Sequence, residues 1–301
     1  MDVDTRLLRY FAAVAEEGTL TRAAQRLYVS QPALTKQIRQ LETQLDVKLF
    51  TRSRTGMTLT AAGRALAARV PTLLSEWDIA MRKTQAAARM SEKTLHVGFL
   101  AAAANEATPE IVAEFARRRP DWKIRMRQAN WGDPSAGLAD GLVETAILRL
   151  PLPDTAGLHI RELFSEPRCV VLPASHRLAE RDRITATDLR DEAFVAAPAR
   201  TGTWREYWLG GHAVTGPEGA PVRVGAVVTQ PDEWLAAIGN GDGIALAPES
   251  ASRFYQRPGL AFRPVDGISP STVAVAWRVS EDANPAVQEF VSCCVDIIAK
   301  N

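Results

Sequence analysis

The first sixty residues carry apolar side chains at helical spacing, interrupted by small or polar residues. The segment TRLLRYFAAVAEEG predicts a helix that ends at Gly18 and buries Leu7, Leu8, Phe11, Val14 and Ala15. The next segment, TRAAQRL, predicts a short second helix with Ala24 and Leu27 facing inward. A turn through Tyr28 and Val29 then separates this helix from a third one.

The third helix has one apolar face and one unusual polar face. Ser30 is a good N-cap, and Pro32 is tolerated in the first turn. Because each residue advances by about 100°, one arc of the helix carries the apolar side chains Leu34, Ile38, Leu41 and Leu45. The opposite arc carries Pro32, Thr35, Lys36, Arg39 and Thr43, with Gln31 at the tip of the helix.

The polar arc lacks acids and consists of side chains that bind base edges and phosphates. A plain solvated helix face is the alternative. The segment KLFTRSRTGMTLT, which follows, predicts strand, tight turn and strand, with Arg52 and Arg54 beside the turn. Two helices, a turn, a third helix and a basic wing make a winged helix–turn–helix. The polar face therefore becomes a candidate surface for the major groove of DNA.

The charge distribution agrees with a polyanion partner at one end only. The chain has a formal net charge of +1. Residues 19–64, however, hold eight basic side chains against two acids, a net of +6, whereas residues 1–18 sum to −2 and residues 65–301 to −3. A basic module is thus joined to a mildly acidic body.

A connecting helix is predicted from Thr60, a plausible N-cap, to about Arg89. Its apolar positions recur in steps of three and four and form a short heptad-like seam: Leu66, Val70, Leu73, Trp77, Met81 and Thr84. Pro71 lies within this segment and predicts a kink, because it removes one backbone hydrogen bond.

The remainder alternates strand and helix patterns. LHVGFL, EIVAEFARR, KIRMRQA, a helix near PSAGLADG and TAILRL predict βαβαβ, and further strands are CVVLP, FVAAP, PVRVGAVV, GIALAP and VAVAWR. Such alternation is typical of α/β lobes with largely parallel sheets. A final helix begins at Asn284 and Pro285 and buries Val287, Phe290, Val291, Cys294 and Ile298.

Composition restricts the class of protein. A chain of 301 residues suits two or three domains, and 46% hydrophobic with 24% charged residues is typical of globular proteins. No apolar run is long enough for a membrane span. The acidic start, MDVDTRLLRYF, is unlike a signal peptide and indicates a cytoplasmic protein. Cys169, Cys293 and Cys294 form neither a disulfide framework nor a zinc spacing, and no metal or other cofactor is implied.

The segment FAAVAEEGTLTRAAQRLYVSQPALTKQIRQLETQLDVKLFTRSRTGMTLTAAG closely resembles the DNA-binding domain of LysR-type transcriptional regulators. The markers are the AA of the second helix, SQPALTKQI, QLE, the LF before the wing and LTAAG after it. The phrases VLPASHRLA, TDLRDEAFV and AAIGNGDGIALAP resemble, more loosely, the effector-binding half of the same family. The resemblance covers essentially the whole chain.

The resemblance implies an N-terminal all-α winged helix–turn–helix domain over 1–60 and a linker and dimerisation helix over 61–90. Residues 91–301 would form an α/β effector domain similar to periplasmic binding proteins, with lobe I at 93–162 and 267–301 and lobe II at 163–266. It also implies that Gln31, Pro32, Thr35 and Lys36 approach bases and that the wing arginines contact the phosphate backbone. The full candidate DNA-binding set is Thr21, Arg22, Ser30, Gln31, Pro32, Thr35, Lys36, Arg39, Arg52 and Arg54.

Ligands of α/β sheets bind beyond the carboxyl ends of strands. The candidate effector site is therefore built from Ala102, Ala103, Trp131, Arg149, Arg200, Thr201, Thr203, Trp204 and Thr229. The threonines and arginines, with no acid among them, favour a small carboxylate, and the two tryptophans favour a ring-bearing body, although each tryptophan could equally be core. Family members often place a hydroxyl residue near Ala102, where it bonds a carboxylate. This chain has four alanines there, so either the backbone alone makes that contact or the effector is less polar.

These observations predict a cytoplasmic, effector-responsive transcriptional regulator. Its expected partners are double-stranded DNA, a second copy of itself in a homodimer or a dimer of dimers (a homotetramer), and a small-molecule effector, with RNA polymerase as a further candidate. Effector binding would favour one arrangement of the lobes and so change how the paired winged helices sit on DNA. The alternatives are a regulator that senses through its thiols, and an enzyme with an appended DNA-binding module. No catalytic arrangement supports the enzyme.

Overall fold

The computed structural model describes residues 3–53, 56–215 and 221–300. The chain divides into two compact units, Met1–Gln85 and Ala86–Asn301.

The first unit is built around three helices and a two-stranded wing. The helices are α1 (Thr5–Glu17), α2 (Leu20–Arg26) and α3 (Gln31–Leu45), followed by the antiparallel strands β1 (Phe50–Ser53) and β2 (Gly56–Leu59). Asp4, Thr19 and Ser30 are the N-caps of the three helices, each with a side-chain oxygen that accepts a backbone N–H. The α1 and α3 stripes meet in one core, which includes Leu7, Phe11, Val14, Leu34, Ile38 and Leu41.

The wing lies against the end of α1. Met57 donates its backbone N–H to the Gly18 carbonyl at 2.8 Å. A Cβ atom on Gly56 would meet the same carbonyl oxygen at 2.4 Å, and the φ of Gly56 is +142°. Only glycine therefore allows the wing to approach α1 this closely.

The connecting segment is two helices, which corrects the prediction of one continuous helix from Thr60. The first, α4 (Ala61–Ala67), is capped by Thr60, and the second, α5, runs over Val70–Ser91. The break falls two residues before Pro71, which lies in the first turn of α5. At that position the absent N–H has no helical acceptor to lose, so proline starts a helix here and does not kink one.

Lobe I of the second unit is a mixed sheet flanked by helices. Its strands are β3 (Thr94–Phe99), β4 (Lys123–Gln128), β5 (Thr145–Arg149), β6 (Leu158–Glu166) and β13 (Ser271–Arg278), in the order β4-β3-β5-β13-β6. The helices α6 (Thr108–Arg118) and α11 (Pro285–Ile298) pack together on it, with Phe115 and Phe290 in edge-on contact.

Lobe II contains the strands β7 (Arg168–Pro173), β8 (Ile184–Thr185), β9 (Ala193–Ala196), β10 (Arg223–Val227), β11 (Ala245–Pro248) and β12 (Leu260–Asp266). Its helices are α7 (Thr203–Trp208), α8 (Gly211–Thr215), α9 (Pro231–Gly239) and α10 (Ala251–Phe254). The strand orders are β11-β7-β12-β8 and β10-β9, and a parallel bridge between Phe194 and Ile244 connects the two groups.

Three details of the effector unit differ from expectation. The segment PSAGLADG forms turns and not a helix. The sheets are mixed, because β13 pairs antiparallel with β5 and β6, and β7 pairs antiparallel with β11 and β12. Lobe I continues to Glu166 and the chain crosses at Pro167, whereas the expected boundary was residue 162.

Within the described ranges, no helix combines the length and the apolar character that crossing a membrane requires.

Candidate functional site

The polar face of α3 is exposed, as its periodicity predicts. Gln31, Pro32, Lys36 and Arg39 are exposed and Thr35 is partly exposed, and together they line one shallow groove. The Thr35 hydroxyl donates to the Gln31 carbonyl at 2.9 Å, one turn earlier in the helix. This face thus presents an amide, a hydroxyl and two cations from successive turns of one helix.

The cations on this face carry no carboxylate partner within the part of the chain that the structure describes. Arg26, on α2, offers a contrast because it pairs with Glu16. Ser30 accepts the Ala33 N–H at 3.3 Å and so caps the first turn of α3, where Gln31 and Pro32 lie. Lys36 and Arg39 are therefore available to phosphates.

The remaining candidate DNA-binding residues lie at the edges of this face. Thr21 and Arg22 are exposed in the first turn of α2. The backbone N–H of Arg22 donates to the hydroxyl of the N-cap Thr19 at 3.3 Å. Arg52 lies on β1 opposite Met57. Arg54 lies outside the described residues.

Glu42 joins α3 to the wing, a role that the QLE motif alone does not predict. Its side chain is buried and accepts the backbone N–H groups of Leu49 at 2.9 Å and Phe50 at 3.3 Å, and the Lys48 ammonium at 2.8 Å. Burial by itself raises the pKa of Glu42, but the hydrogen bonds from Lys48, Leu49 and Phe50 outweigh it and hold the pKa below its usual value. The wing is thus tied to α3 through one ionised carboxylate.

A cleft lies between the two lobes, with about 680 Å³ of empty space that includes open solvent at its mouth, and we call it the inter-lobe chamber. It is formed at the carboxyl ends of β3, β5, β9 and β11, where Leu100, Arg149, Ala196 and Pro248 line it. Its aromatic walls are Trp131, Trp204, Trp208, Trp234 and Tyr255, and no acidic side chain lines it in the described ranges. Three of the predicted effector residues, Trp131, Arg149 and Trp204, therefore come together here.

The other predicted effector residues do not line the chamber. The Thr201 hydroxyl is buried and donates to the Pro198 carbonyl at 2.8 Å, and Thr203 is exposed. The Thr229 hydroxyl donates to Glu233 at 3.2 Å, which places an acid at the rim where none was expected. Ala103 is buried. Of the alanines in this loop, Ala101 lines the chamber, whereas Ala102 and Ala103 do not.

Thr229 instead helps to hold the lobes together, and Arg200 lies close to lobe I. The Trp131 N–H, from lobe I, donates to the Thr229 carbonyl of lobe II at 2.9 Å. A Cβ atom on Gly132 would meet Arg200 Nη2 at 2.2 Å, so the Arg200 guanidinium lies close to the backbone of lobe I. Both residues thus lie at the rim of the cleft.

Arg149 is the charged centre of the chamber wall. It is 4% exposed, and its guanidinium donates to Glu166 at 2.8 Å and to the Ser271 hydroxyl at 2.8 Å. Glu166 also accepts from Asn105 at 3.0 Å and from the Ser250 N–H at 2.7 Å. Burial raises the pKa of Glu166, but the charge of Arg149 and these hydrogen bonds outweigh it, so the net shift is downward.

Several N–H donors around the chamber have no acceptor among the described residues. Arg149 Nε and the indole nitrogens of Trp204 and Trp208 are buried without a hydrogen-bond partner. The backbone N–H of the half-buried Ala101 also donates to no described group. The polar part of the wall is therefore dominated by hydrogen-bond donors.

The sequence did not predict that Trp208, Trp234 and Tyr255 line the chamber, because nothing in their local pattern separates them from core residues.

The thiols are buried. Cys169, Cys293 and Cys294 are each at most 4% exposed. Burial raises the pKa of Cys169 to about 12 and that of Cys293 to about 11, and it also raises the pKa of Cys294. Thiols in this state remain protonated and react slowly. No group of three or more His, Cys, Asp and Glu side chains in the described ranges could hold a metal ion.

Comparisons with known proteins cover both units. Residues 5–64 match the family model "Bacterial regulatory helix-turn-helix protein, lysR family", and residues 88–298 match "LysR substrate binding domain". The chain is 29% identical to the HTH-type transcriptional regulator AlsR of Bacillus subtilis over 289 residues, which cover 96% of this chain and 94% of AlsR. It is also 29% identical to the Hca operon transcriptional activator HcaR of Escherichia coli over 299 residues, or 99% of each chain.

Among solved structures, full-length CbnR complexed with its target DNA is similar to this chain. The TM-score is 0.52 at 25% identity, and the alignment covers 98% of this chain and 100% of that chain. The fold of a winged helix–turn–helix followed by a two-lobed effector domain is therefore shared along the full length.

Proposed function

The chain belongs to the LysR-type transcriptional regulators, and we propose that its signal is a small carboxylate held in the inter-lobe chamber. Its relatives are regulators and not enzymes, and the chain is accordingly a DNA-binding regulator with an effector-binding domain. The identity of the effector and the residues that bind it are the new part of this proposal.

The observation that carries the proposal is the set of unpartnered donors around the chamber. A buried N–H without an acceptor costs about 1–3 kcal/mol. A carboxylate offers about four lone-pair sites and could accept from Arg149 Nε, from the Ala101 N–H and from one indole. Charge-assisted bonds of this kind are stronger than neutral ones. No acidic side chain in the described lining opposes the guest.

For DNA, we propose that Gln31, Pro32, Thr35 and Lys36 approach base edges and that Arg39, Arg22 and Thr21 contact the phosphate backbone around them. The exposed face of α3 and its unpaired cations support this assignment. The family resemblance implies that Arg52 and Arg54 of the wing contact the phosphate backbone of DNA.

For assembly, we propose a homodimer through α5 that pairs further into a tetramer. Leu73, Trp77 and Met81 follow one another in steps of four on α5 and are 54%, 48% and 40% exposed. An apolar stripe of this length is costly to leave in water and favours burial against a second copy. A dimer also places two winged helices on the two halves of a palindrome.

The response would then be a population shift. An effector that contacts both walls of the chamber stabilises one separation of the lobes, and the altered arrangement of subunits changes how the winged helices sit on DNA. Thiol sensing is disfavoured because the three thiols are buried and their pKa values are raised.

A library of small acids screened by thermal shift tests the proposal. A ligand at 100 times its dissociation constant should add about 2.7 kcal/mol of stability. The shift should disappear in Trp131→Ala and Trp204→Leu, which alter the chamber, and persist in Gln31→Ala, which alters only the DNA-binding face. Hits confined to neutral or cationic compounds, or hits that survive both chamber variants, would refute it.

A further inference from the structure

We propose that the effector is a flat aromatic acid whose ring contacts Trp131 of lobe I and the aromatic wall of lobe II. This inference rests on the proposed function, because it assigns a chemical class to the guest of the same chamber. It comes from the geometry of the walls and not from the donors alone.

The aromatic side chains form two groups. In the first, Trp131 and Trp234 meet with centroids 5.7 Å apart and planes at 79°, and Trp234 meets Tyr255 at 6.4 Å and 84°. In the second, Trp204 and Trp208 meet at 5.9 Å and 65°. Each of these three contacts is T-shaped, and none is a parallel stack. Ring faces and edges of this kind favour an aromatic guest over a saturated one.

The two groups draw on both lobes. Trp131 follows β4 in lobe I, whereas Trp204, Trp208, Trp234 and Tyr255 belong to lobe II. A ring that touches Trp131 and the lobe II walls together would bridge the lobes. The rest of the lining is largely alanine, including Ala196, Ala197, Ala245 and Ala247, whose short side chains leave room for a flat body.

The polar donors set the orientation of the guest. Arg149 Nε lies on β5, and the unpartnered indole N–H groups of Trp204 and Trp208 lie on α7. Because the charge of Arg149 is already balanced by Glu166 at 2.8 Å, the wall supplies hydrogen bonds more than net positive charge. Affinity must therefore depend on ring contacts as well as on the carboxylate, and acids without a ring should bind weakly.

The experiment uses the full-length protein and matched pairs of probes. Benzoate and indole-3-carboxylate are compared with cyclohexanecarboxylate, which keeps the acid but lacks the aromatic faces, with benzamide, which keeps the ring but lacks the charge, and with succinate. Binding is followed by intrinsic fluorescence and thermal shift, since Trp131, Trp204, Trp208 and Trp234 line the chamber. We expect at least one aromatic acid to bind about tenfold more tightly than cyclohexanecarboxylate.

Two kinds of variant separate the ring from the acid. Trp234→Leu should abolish the preference for aromatic over saturated acids, whereas Trp208→Phe keeps a ring, removes one N–H and should weaken all acids alike. Trp122→Leu is the matched control, because Trp122 packs on the lobe I core and does not line the chamber. Circular dichroism establishes that each variant folds.

The outcomes distinguish this inference from the proposed function. If succinate or cyclohexanecarboxylate binds as tightly as the aromatic acids, the aromatic class is wrong and carboxylate sensing stands. If benzamide binds and no acid does, the ring is supported and the carboxylate is wrong. If no aromatic probe binds the unaltered protein at millimolar concentration, the inference is overturned.

Discussion

Replacing Glu166 by glutamine should destabilise the effector unit strongly, although the two side chains have nearly the same shape. Glu166 accepts from Asn105, Arg149 and Ser250 through one oxygen and from the Ser250 N–H through the other. Glutamine replaces one acceptor with a donor and leaves the cation of Arg149 buried without a counterion. Removing one partner of a buried ion pair costs about 3–5 kcal/mol.

The measurement is urea and thermal unfolding of the full-length protein, followed by fluorescence. Six of the seven tryptophans lie in Ala86–Asn301, so the signal reports mainly on the effector unit. For a unit of this size, 1 kcal/mol corresponds to roughly 2–4 °C, so Glu166→Gln should lower the melting temperature by about 10 °C. Adding Arg149→Met to the variant should recover part of the loss, because it removes the unpaired charge.

Glu106→Gln is the matched control. The pair of Glu106 and Arg253 links lobe I to lobe II at 2.6 Å, but its side chains are 61% and 52% exposed. Solvent screens such a pair, and its loss should cost about 0–1 kcal/mol. If Glu166→Gln cost no more than Glu106→Gln, the assignment of Glu166 as the counterion of a buried arginine would be wrong.

The pH dependence gives a second check on Glu166. The pKa of Glu166 in the folded protein is below its ordinary value, so its contribution is fully present above the unfolded pKa of about 4.3 and is lost as the pH falls through the folded pKa. The difference in stability between the unaltered protein and Glu166→Gln should therefore narrow below about pH 4. A gap independent of pH would contradict the reasoning.

Three further predictions concern DNA, assembly and the thiols. Gln31→Ala should weaken specific DNA binding by about 1–3 kcal/mol and leave nonspecific binding intact in gel-shift assays, whereas Arg52→Ala should weaken binding on all sequences and reduce the salt slope by about 1. Trp77→Glu places a charge in the exposed stripe of α5 and should shift the sedimenting species toward monomer; an unchanged dimer or tetramer would exclude that stripe as the interface. Because the thiols are buried, the response to effector should survive joint replacement by serine of Cys169, Cys293 and Cys294, and loss of all response in a folded variant would favour thiol sensing.

The exposed polar face of α3 could be predicted because the information that specifies it is local. Helix periodicity alone places Leu34, Ile38 and Leu41 inside, and the structure buries all three. The same phase places Lys36 and Arg39 outside, where they are found. By contrast, the break before Pro71 could not be predicted. A proline is compatible both with a kink inside one helix and with the first turn of a new helix. Periodicity cannot distinguish these two cases.

The inter-lobe chamber could be predicted only in part, because its walls come from segments that are far apart in the sequence. The rule that ligands bind at the carboxyl ends of strands selected Trp131, Arg149 and Trp204, and the structure places all three in the lining of the chamber. It also selected Thr201 and Thr229, whose hydroxyls are occupied by the Pro198 carbonyl and by Glu233. Short-range hydrogen bonds of this kind are available to any threonine near a helix start, and a sequence pattern does not reveal which threonine uses them.

Arg168 links the chamber wall to the two segments where the chain crosses between the lobes, and no sequence motif marks this residue. Arg168 follows the crossing at Pro167 and is 3% exposed, and no carboxylate in the described ranges pairs with it. Its guanidinium donates to the carbonyls of Tyr207 at 2.8 Å and Ser269 at 2.7 Å, and it lies 4.1 Å from the centroid of the Tyr207 ring. Tyr207 belongs to α7, the helix that carries the chamber walls Trp204 and Trp208, and Ser269 lies on the second crossing. Arg168 therefore ties α7, which carries two walls of the chamber, to the second crossing between the lobes.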